Sequence, residues 1–409
     1  MPARAADKAA LLSLWTLFNG SEWHNTLGWD PGGVSDPCLH RWYGVGCEDP
    51  CDLYLDGEEC YYGRIVSINL ANNNLTGRLS DWTAIGALHN LSYVDLSYNH
   101  LHGEIPSAIA DTSLEYLDLK FNQLEGTLPQ GFSNTSLDTL AVEYNQISGT
   151  LPSELGLQTR LKMLHAGHNR LSGSIPSQLS NLTELQVLNL ASMSLDGPLP
   201  DTIGQMASLR YLNVSNNEID GTLPRSFGGL ENARDLILDN NRISGTLPTE
   251  IGMATELRRL MLHDNYLSGN LTSVYTLDRL VRLEWLDLYN NSMVGDVPAL
   301  DGLTSIKHLY VDLQHVSGLL AKAYCKRRFS MNPDDGFSPG WRYNWRVVVK
   351  MYPELSRPGE ECPAAFDKEF AFGTLEQSGR YLGEVHAGGS VDAVGDIGSG
   401  EGSGVASGE

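Results

Sequence analysis

The chain has 409 residues and a formal net charge of -22, with 41% hydrophobic and 8% aromatic residues. That composition is ordinary for a folded, water-soluble protein, and no apolar run approaches the roughly 18 residues of a membrane-spanning helix. The acidic balance disfavours nucleic acid or an anionic membrane as the main partner and favours basic partners or cations.

The first predicted element is a capping helix over residues 7–18, with Asp7 as candidate N-cap and Ala10, Leu11, Leu14, Trp15 and Phe18 spaced along one face. The start has a basic residue but lacks the apolar core and cleavage site of a signal peptide. An irregular stretch runs from Asn19 to Cys60, in which Trp23, Trp29 and Trp42 are expected to pack over the coil that follows. It holds Cys38, Cys47, Cys51 and Cys60, and proximity predicts the bridges Cys38 with Cys47 and Cys51 with Cys60. A zinc site is the rival reading, which their spacing does not fit.

From Ile65 to Leu320 a phrase close to L-x-x-L-x-L-x-x-N-x-L-x-G-x-[IL]-P recurs eleven times, with starts at Ile65, Leu91, Leu114, Leu137, Leu161, Leu185, Leu209, Ala233, Leu257, Leu283 and Ile306. Most spacings are 23 or 24 residues, the period of a leucine-rich repeat. The L-x-x-L-x-L half alternates as a strand does, and one coil cannot bury its leucines, so neighbours must stack into a continuous core. The predicted fold is α/β: a leucine-rich repeat solenoid with a parallel concave sheet and disulfide-bonded caps. Asn73, Asn99, Asn122, Asn145, Asn169, Asn217, Asn241, Asn265 and Asn291 fall where the chain leaves the strand, placed to satisfy backbone groups that the sheet no longer pairs. The glycine four residues later permits a tight bend, and the proline that usually follows suits an extended segment outside the main sheet.

Segments such as "LHGEIP" at 101–106 and "LSGSIP" at 171–176 resemble the plant-type leucine-rich repeats of receptor-kinase ectodomains and polygalacturonase-inhibiting proteins. The element Trp42, Gly44, Val45, Cys47 resembles the cap that precedes such repeats, which many protist surface proteins share. The resemblance implies a twisted superhelix with a second, discontinuous sheet flanking the concave one. It implies no particular ligand.

After Leu320 the periodicity stops. Residues 321–372 read as a C-terminal cap with a Cys325 to Cys362 bridge and a short strand at Val347 to Val349. Residues 373–409 read as an acidic tail in which, from Gly383 onward, glycine and serine supply 13 of 27 residues; such a segment buries too little apolar surface to offset its ordering entropy. Domain organisation is therefore a cap at 1–64, repeats at 65–320, a second cap and a disordered tail. Asn19, Asn74, Asn90, Asn134, Asn181, Asn213, Asn270 and Asn290 each begin N-x-[ST], and with paired cysteines these glycosylation signals point to a secreted or cell-surface protein. The competing reading is an intracellular chain with reduced cysteines.

The non-leucine strand positions list the concave face directly. Toward the N-terminal side these are Tyr93, Asp95, Tyr98, Tyr116, Asp118, Phe121, Glu143, Tyr144, Met163, His165 and His168. Tyr98, Phe121 and Tyr144 hold the same position in consecutive coils, about 5 Å apart by strand spacing, and predict an aromatic ridge beside a line of acids. Such a ridge suits a basic peptide or a polyhydroxylated sugar; the competing explanation is lateral stacking with no ligand. A second cluster comprises Trp285, Asp287, Tyr289, Lys307, His308 and Tyr310, and between them Arg234, Arg258 and Arg259 sit among Asp235, Asp239, His263 and Asp264. The arginines read as a solvated charged face. Asn213 and Asn290 also hold concave positions, where a glycan would obstruct a ligand.

No G-x-S-x-G, H-E-x-x-H, P-loop or dinucleotide-binding motif occurs in the required context, so neither catalysis, cofactor nor metal is predicted. The leading expectation is a non-catalytic recognition module binding a peptide, protein or cell-wall glycan on the concave face. A structural or adhesion glycoprotein and an inhibitor of a secreted hydrolase are the alternatives.

Overall fold

Each L-x-x-L-x-L phrase forms one short strand, because alternation buries its leucines on one side and leaves the intervening residues on the other. The computed structural model describes residues 2–32, 35–48, 64–270, 275–294, 303, 305–312 and 346–350. All belong to one unit, Met1–Glu360, and a second, Glu361–Glu409, lies outside them. The pairings expected for Cys51, Cys60, Cys325 and Cys362 also fall outside the described residues, as does the acidic tail.

Among the described residues the main sheet has thirteen strands. Val45–Cys47 pairs antiparallel with Ile65–Asn69; the eleven repeat strands then run parallel in chain order to His308–Asp312. Arg346–Lys350, which contains the strand expected at Val347 to Val349, pairs parallel with His308–Asp312. Register is in step from coil to coil: Tyr93 opposes Tyr116, Tyr116 opposes Thr139, and Thr139 opposes Met163. Equivalent repeat positions therefore form columns across the sheet.

Three separate three-stranded sheets flank it, the first made of Thr76–Arg78, His100–Gly103 and Gln123–Leu124. They are the discontinuous second sheet that the resemblance implied. The bend into them needs glycine. At Gly149 the backbone has φ 84°, and a Cβ there would lie 2.9 Å from Thr127 Cγ2 of the preceding coil. Pro152, with φ -65° and ψ 131°, leads into the 3₁₀ helix Ser153–Leu157, and equivalent five-residue turns such as Ser107–Asp111 and Ser177–Asn181 close other coils. A 3₁₀ turn rises about 2.0 Å per residue, which lets a short coil close where an α-helix would not fit.

The recurring asparagine ties adjacent coils together. Asn169 accepts the Ile147 N–H at 2.9 Å, and its amide lies 2.9 Å from the carbonyls of Val142 and Ala166 and 3.2 Å from that of Gly167. The ladder is interrupted at Met193, a buried methionine in the equivalent position. Asn169→Ala would orphan several buried backbone groups, each worth about 1 kcal/mol or more; a loss of about 2–3 kcal/mol in a denaturant titration is expected. A loss below about 0.5 kcal/mol would show that water replaces the ladder.

The helix spans Pro2–Leu17 and buries Ala10, Leu11 and Leu14, with Phe18 just beyond it. Since it starts earlier than the sequence suggests, Asp7 lies in its interior and cannot be the N-cap. Its carboxylate instead accepts the Ile65 N–H at 3.3 Å, joining the helix to the first repeat strand. Trp15, Trp23, Trp29 and Trp42 form one aromatic cluster with successive centroids 4.7–5.1 Å apart. Cys38 and Cys47, nine residues apart, are disulfide-bonded as predicted. Replacing both by serine is expected to cost about 2–3 kcal/mol by the loop-closure argument, read as a lower denaturant midpoint.

Candidate functional site

The in-step register turns the sequence-predicted residues into two aromatic stacks on the open face of the sheet. Tyr93 and Tyr116 lie face to face, centroids 4.4 Å apart and planes within 6°. Tyr98, Phe121, Tyr144 and His168 form a four-ring ladder with successive separations of 4.4, 4.2 and 4.1 Å and interplanar angles of 10–13°. His168 thus extends the expected three-residue ridge. Burial holds its imidazole below the ordinary range, and the neutral ring stacks on Tyr144. The ridge is open to solvent at its first ring and within it: Tyr98, at one end, is 51% exposed and Tyr144, an interior ring, 42%.

Backbone conformation at this column is the unexpected feature. In coil after coil the residue before the ladder asparagine has φ of 50–55°, the left-handed region. Elsewhere the position holds Asn72, Ser192, Asn216, Asn240, Asp264 or Asn290; asparagine and aspartate tolerate this conformation because their short side chains hydrogen-bond locally. Four consecutive coils place Tyr98, Phe121, Tyr144 and His168 there instead, and bulky residues bear a steric cost in this region.

The expected line of acids is only partly open. Asp118 is 2% exposed and pairs with Lys120 at 2.9 Å. Burial pushes its carboxyl above the ordinary range, and the hydrogen bonds from Lys120 draw it part of the way back. Asp118 is therefore buried in the floor of the face rather than held out to solvent, as the sequence suggested. Burial, with Asp118 beside it, pushes the Tyr116 phenol far up, so the hydroxyl stays protonated. Glu143 Oε1 lies 3.2 Å from His165 Nδ1 and accepts from the Asn189 amide at 2.5 Å. Asp95 holds the Ser97 backbone N–H at 3.0 Å and its hydroxyl at 2.7 Å. Met163, two strands beyond Tyr116 in the same column, stands exposed. Sequence reasoning missed Lys120 and Asn189. Lys120 occupies the position equivalent to Glu143 and was legible there as a variable strand-exit residue.

At the other end Trp285 stacks on His308, centroids 4.0 Å apart. His263 bridges Asp264 at 2.7 Å and Asp239 at 3.4 Å. Asp287 is pushed up to about 6, by burial first and then by Asp239 and Asp264, against the lowering effect of His263. A carboxyl whose folded-state value is raised destabilises the fold once ionised. Stability should fall as pH rises from about 4 to about 6. Asp287→Asn keeps the acceptor for the Tyr289 N–H, now 3.1 Å away. It should stabilise the protein at pH 7 by about 2 kcal/mol and change nothing near pH 4; equal unfolding midpoints at both pH values would contradict the assignment. Arg259 is held by Asp235 at 2.5 Å, while Arg234 and Arg258 are exposed. Among the described residues no three His, Cys, Asp or Glu side chains are disposed to hold a metal ion. Asn213 donates from Nδ2 to the Tyr211 hydroxyl at 3.1 Å, and Asn290 donates to Asp264 at 2.5 Å.

Family models described as leucine rich repeat match residues 159–219 and 183–243, and 90–111 and 113–135. A probable leucine-rich repeat receptor-like protein kinase of Arabidopsis thaliana is 34% identical over 104 residues, 25% of this chain and 8% of that protein. Among solved structures, the ectodomain of the plant membrane receptor kinase GASSHO1/SCHENGEN3 from Arabidopsis thaliana, in complex with CASPARIAN STRIP INTEGRITY FACTOR 2, is 31% identical. It aligns with a TM-score of 0.66 over 76% of this chain and 35% of that one. The plant peptide hormone receptor RGFR1, in complex with RGF2, is 33% identical with a TM-score of 0.59, over 61% of this chain and 40% of its own. The chain thus spans less than half the length of each of these relatives. The recurring phrase and the parallel sheet with its flanking strands and asparagine ladder make the chain a leucine-rich repeat solenoid, similar in sequence and structure to the ectodomains of plant receptors.

Proposed function

We propose that this protein is a recognition module that binds a peptide on the open face of its sheet, with the ladder Tyr98, Phe121, Tyr144 and His168 as the anchor. The observation that carries this reading is the ladder's cost. Aromatic residues in four consecutive coils occupy left-handed backbone positions that asparagine, aspartate or serine fills in the others, and strain of this kind persists where function requires it. Aromatic anchors supply large contact area at low entropy cost.

A peptide fits better than a glycan. Sugars stack on open ring faces, but Phe121 and Tyr144 each have a neighbouring ring on both faces, so what they offer outward is edges and a hydroxyl. RGFR1 is a plant peptide hormone receptor, which supports the same ligand class. The Cys38–Cys47 disulfide supports an oxidising compartment and hence a secreted or surface location. Among the described residues no helix is long and apolar enough to cross a membrane.

The test is binding of the purified full chain to an array of synthetic decapeptides. Hits should weaken at least tenfold when Tyr98, Phe121 and Tyr144 are replaced by alanine, which removes three hot-spot-sized side chains. A folded triple variant with undiminished affinity would remove the ridge from the account.

A further inference from the structure

In six coils a strand-exit Asn or Asp accepts the backbone N–H two residues on: Asn69 from Ala71, Asp95 from Ser97, Asp118 from Lys120, Asn189 from Ala191, Asn213 from Ser215 and Asp287 from Tyr289, at 3.0–3.3 Å. That turn needs one oxygen, and asparagine supplies it at three of the six. A carboxylate there therefore carries a charge that the turn does not use. Asp118 directs its charge to Lys120 at 2.9 Å, and Asp287 lies in the field of His263. Asp95 has no ion pair among the described residues, and its two hydrogen bonds both fall on Oδ1.

Asp95 is half-buried, with part of its side chain still reaching solvent. In its own coil it lies between Tyr93, stacked on Tyr116, and Tyr98, stacked on Phe121. Lys120, already bonded to Asp118, is the ammonium shared by these two carboxylates, which leaves a local excess of one negative charge.

We infer that Asp95 is the subsite for a cationic side chain, a guanidinium or an ammonium, of the bound peptide. The carboxylate accepts its N–H groups, and the Tyr93 and Tyr98 rings flank the cation with their π-electrons. The inference rests on the peptide-binding reading above and narrows it to basic peptides, which the net charge of -22 would also steer toward the protein.

The experiment uses the full chain and the array hits that depend on Tyr98. Each hit is resynthesised with arginine replaced by citrulline, neutral and nearly isosteric, or lysine by norleucine. Arginine or lysine should be enriched among hits, and neutralising one position should weaken binding at least about tenfold. Asp95→Asn, which retains the turn oxygen as Asn69 and Asn189 do, should weaken the basic peptide by a similar factor. It should leave the neutralised peptide unchanged, with no loss of thermal stability. Tyr98-dependent hits without a preferred basic position, or an Asp95→Asn effect equal on both peptide versions, would overturn the Asp95 subsite while peptide recognition stood. If no array peptide depends on Tyr98, both readings fall.

Discussion

Exchanging Tyr98, Phe121, Tyr144 and His168 together for asparagine is expected to abolish peptide binding while leaving the protein about as stable as before. Three ring stacks are lost, at about 0.5–1.5 kcal/mol each. Four left-handed backbone positions pass to the residue type that Asn72, Asn216, Asn240 and Asn290 place in the same conformation, recovering about 1 kcal/mol each. The two effects nearly cancel. Binding has no such compensation: losing several aromatic anchors should lower affinity by about a hundredfold or more. The pair of measurements is decisive because the alternatives move them oppositely. A midpoint of thermal unfolding that drops by about 10 °C or more, equivalent to several kcal/mol in a protein of this size, would make the ladder a structural device.

Trp82→Ala is expected to cost about 4 kcal/mol, the range for truncating a fully buried indole. Trp82 is 0% exposed, donates from Nε1 to the Ala10 carbonyl at 3.1 Å, and makes a T-shaped contact with Phe18 at 5.9 Å between centroids. It therefore joins the helix Pro2–Leu17 to the first coils. In a solenoid each coil touches only its neighbours, so the damage should be local. Native-state hydrogen exchange should show lost protection in the strands Ile65–Asn69 and Tyr93–Asp95, with the strands Asp235–Ile237 and Arg259–Met261 retained. Uniform loss across the sheet would mean that the coils unfold as one unit.

Much of this was readable in the repeat phrase. Its leucines predicted the strands, its asparagines the partners for backbone groups beyond each strand, and its proline an extended segment outside the main sheet. The gap at Met193 was visible as a missing letter. Other features were not visible. Asp7 read as a helix cap because helix ends depend on a few weak local signals; docking on the first strand gives its carboxylate a different partner, the Ile65 N–H. Asp118 read as an open acid until Lys120 was placed against it.

The repeat phrase alone dictates the periodic part: the fold, and which residues share a column, because a constant repeat length in a parallel, in-step sheet maps position in the phrase directly onto position on the face. How side chains within and between columns meet depends instead on the folded path. The left-handed backbone at Tyr98, Phe121, Tyr144 and His168, the stacking that covers the interior ring faces, and the spare carboxylate oxygen of Asp95 all follow from the path of the chain as it leaves each strand. That path is set by hydrogen bonds to the next coil, which lie more than twenty residues away in sequence.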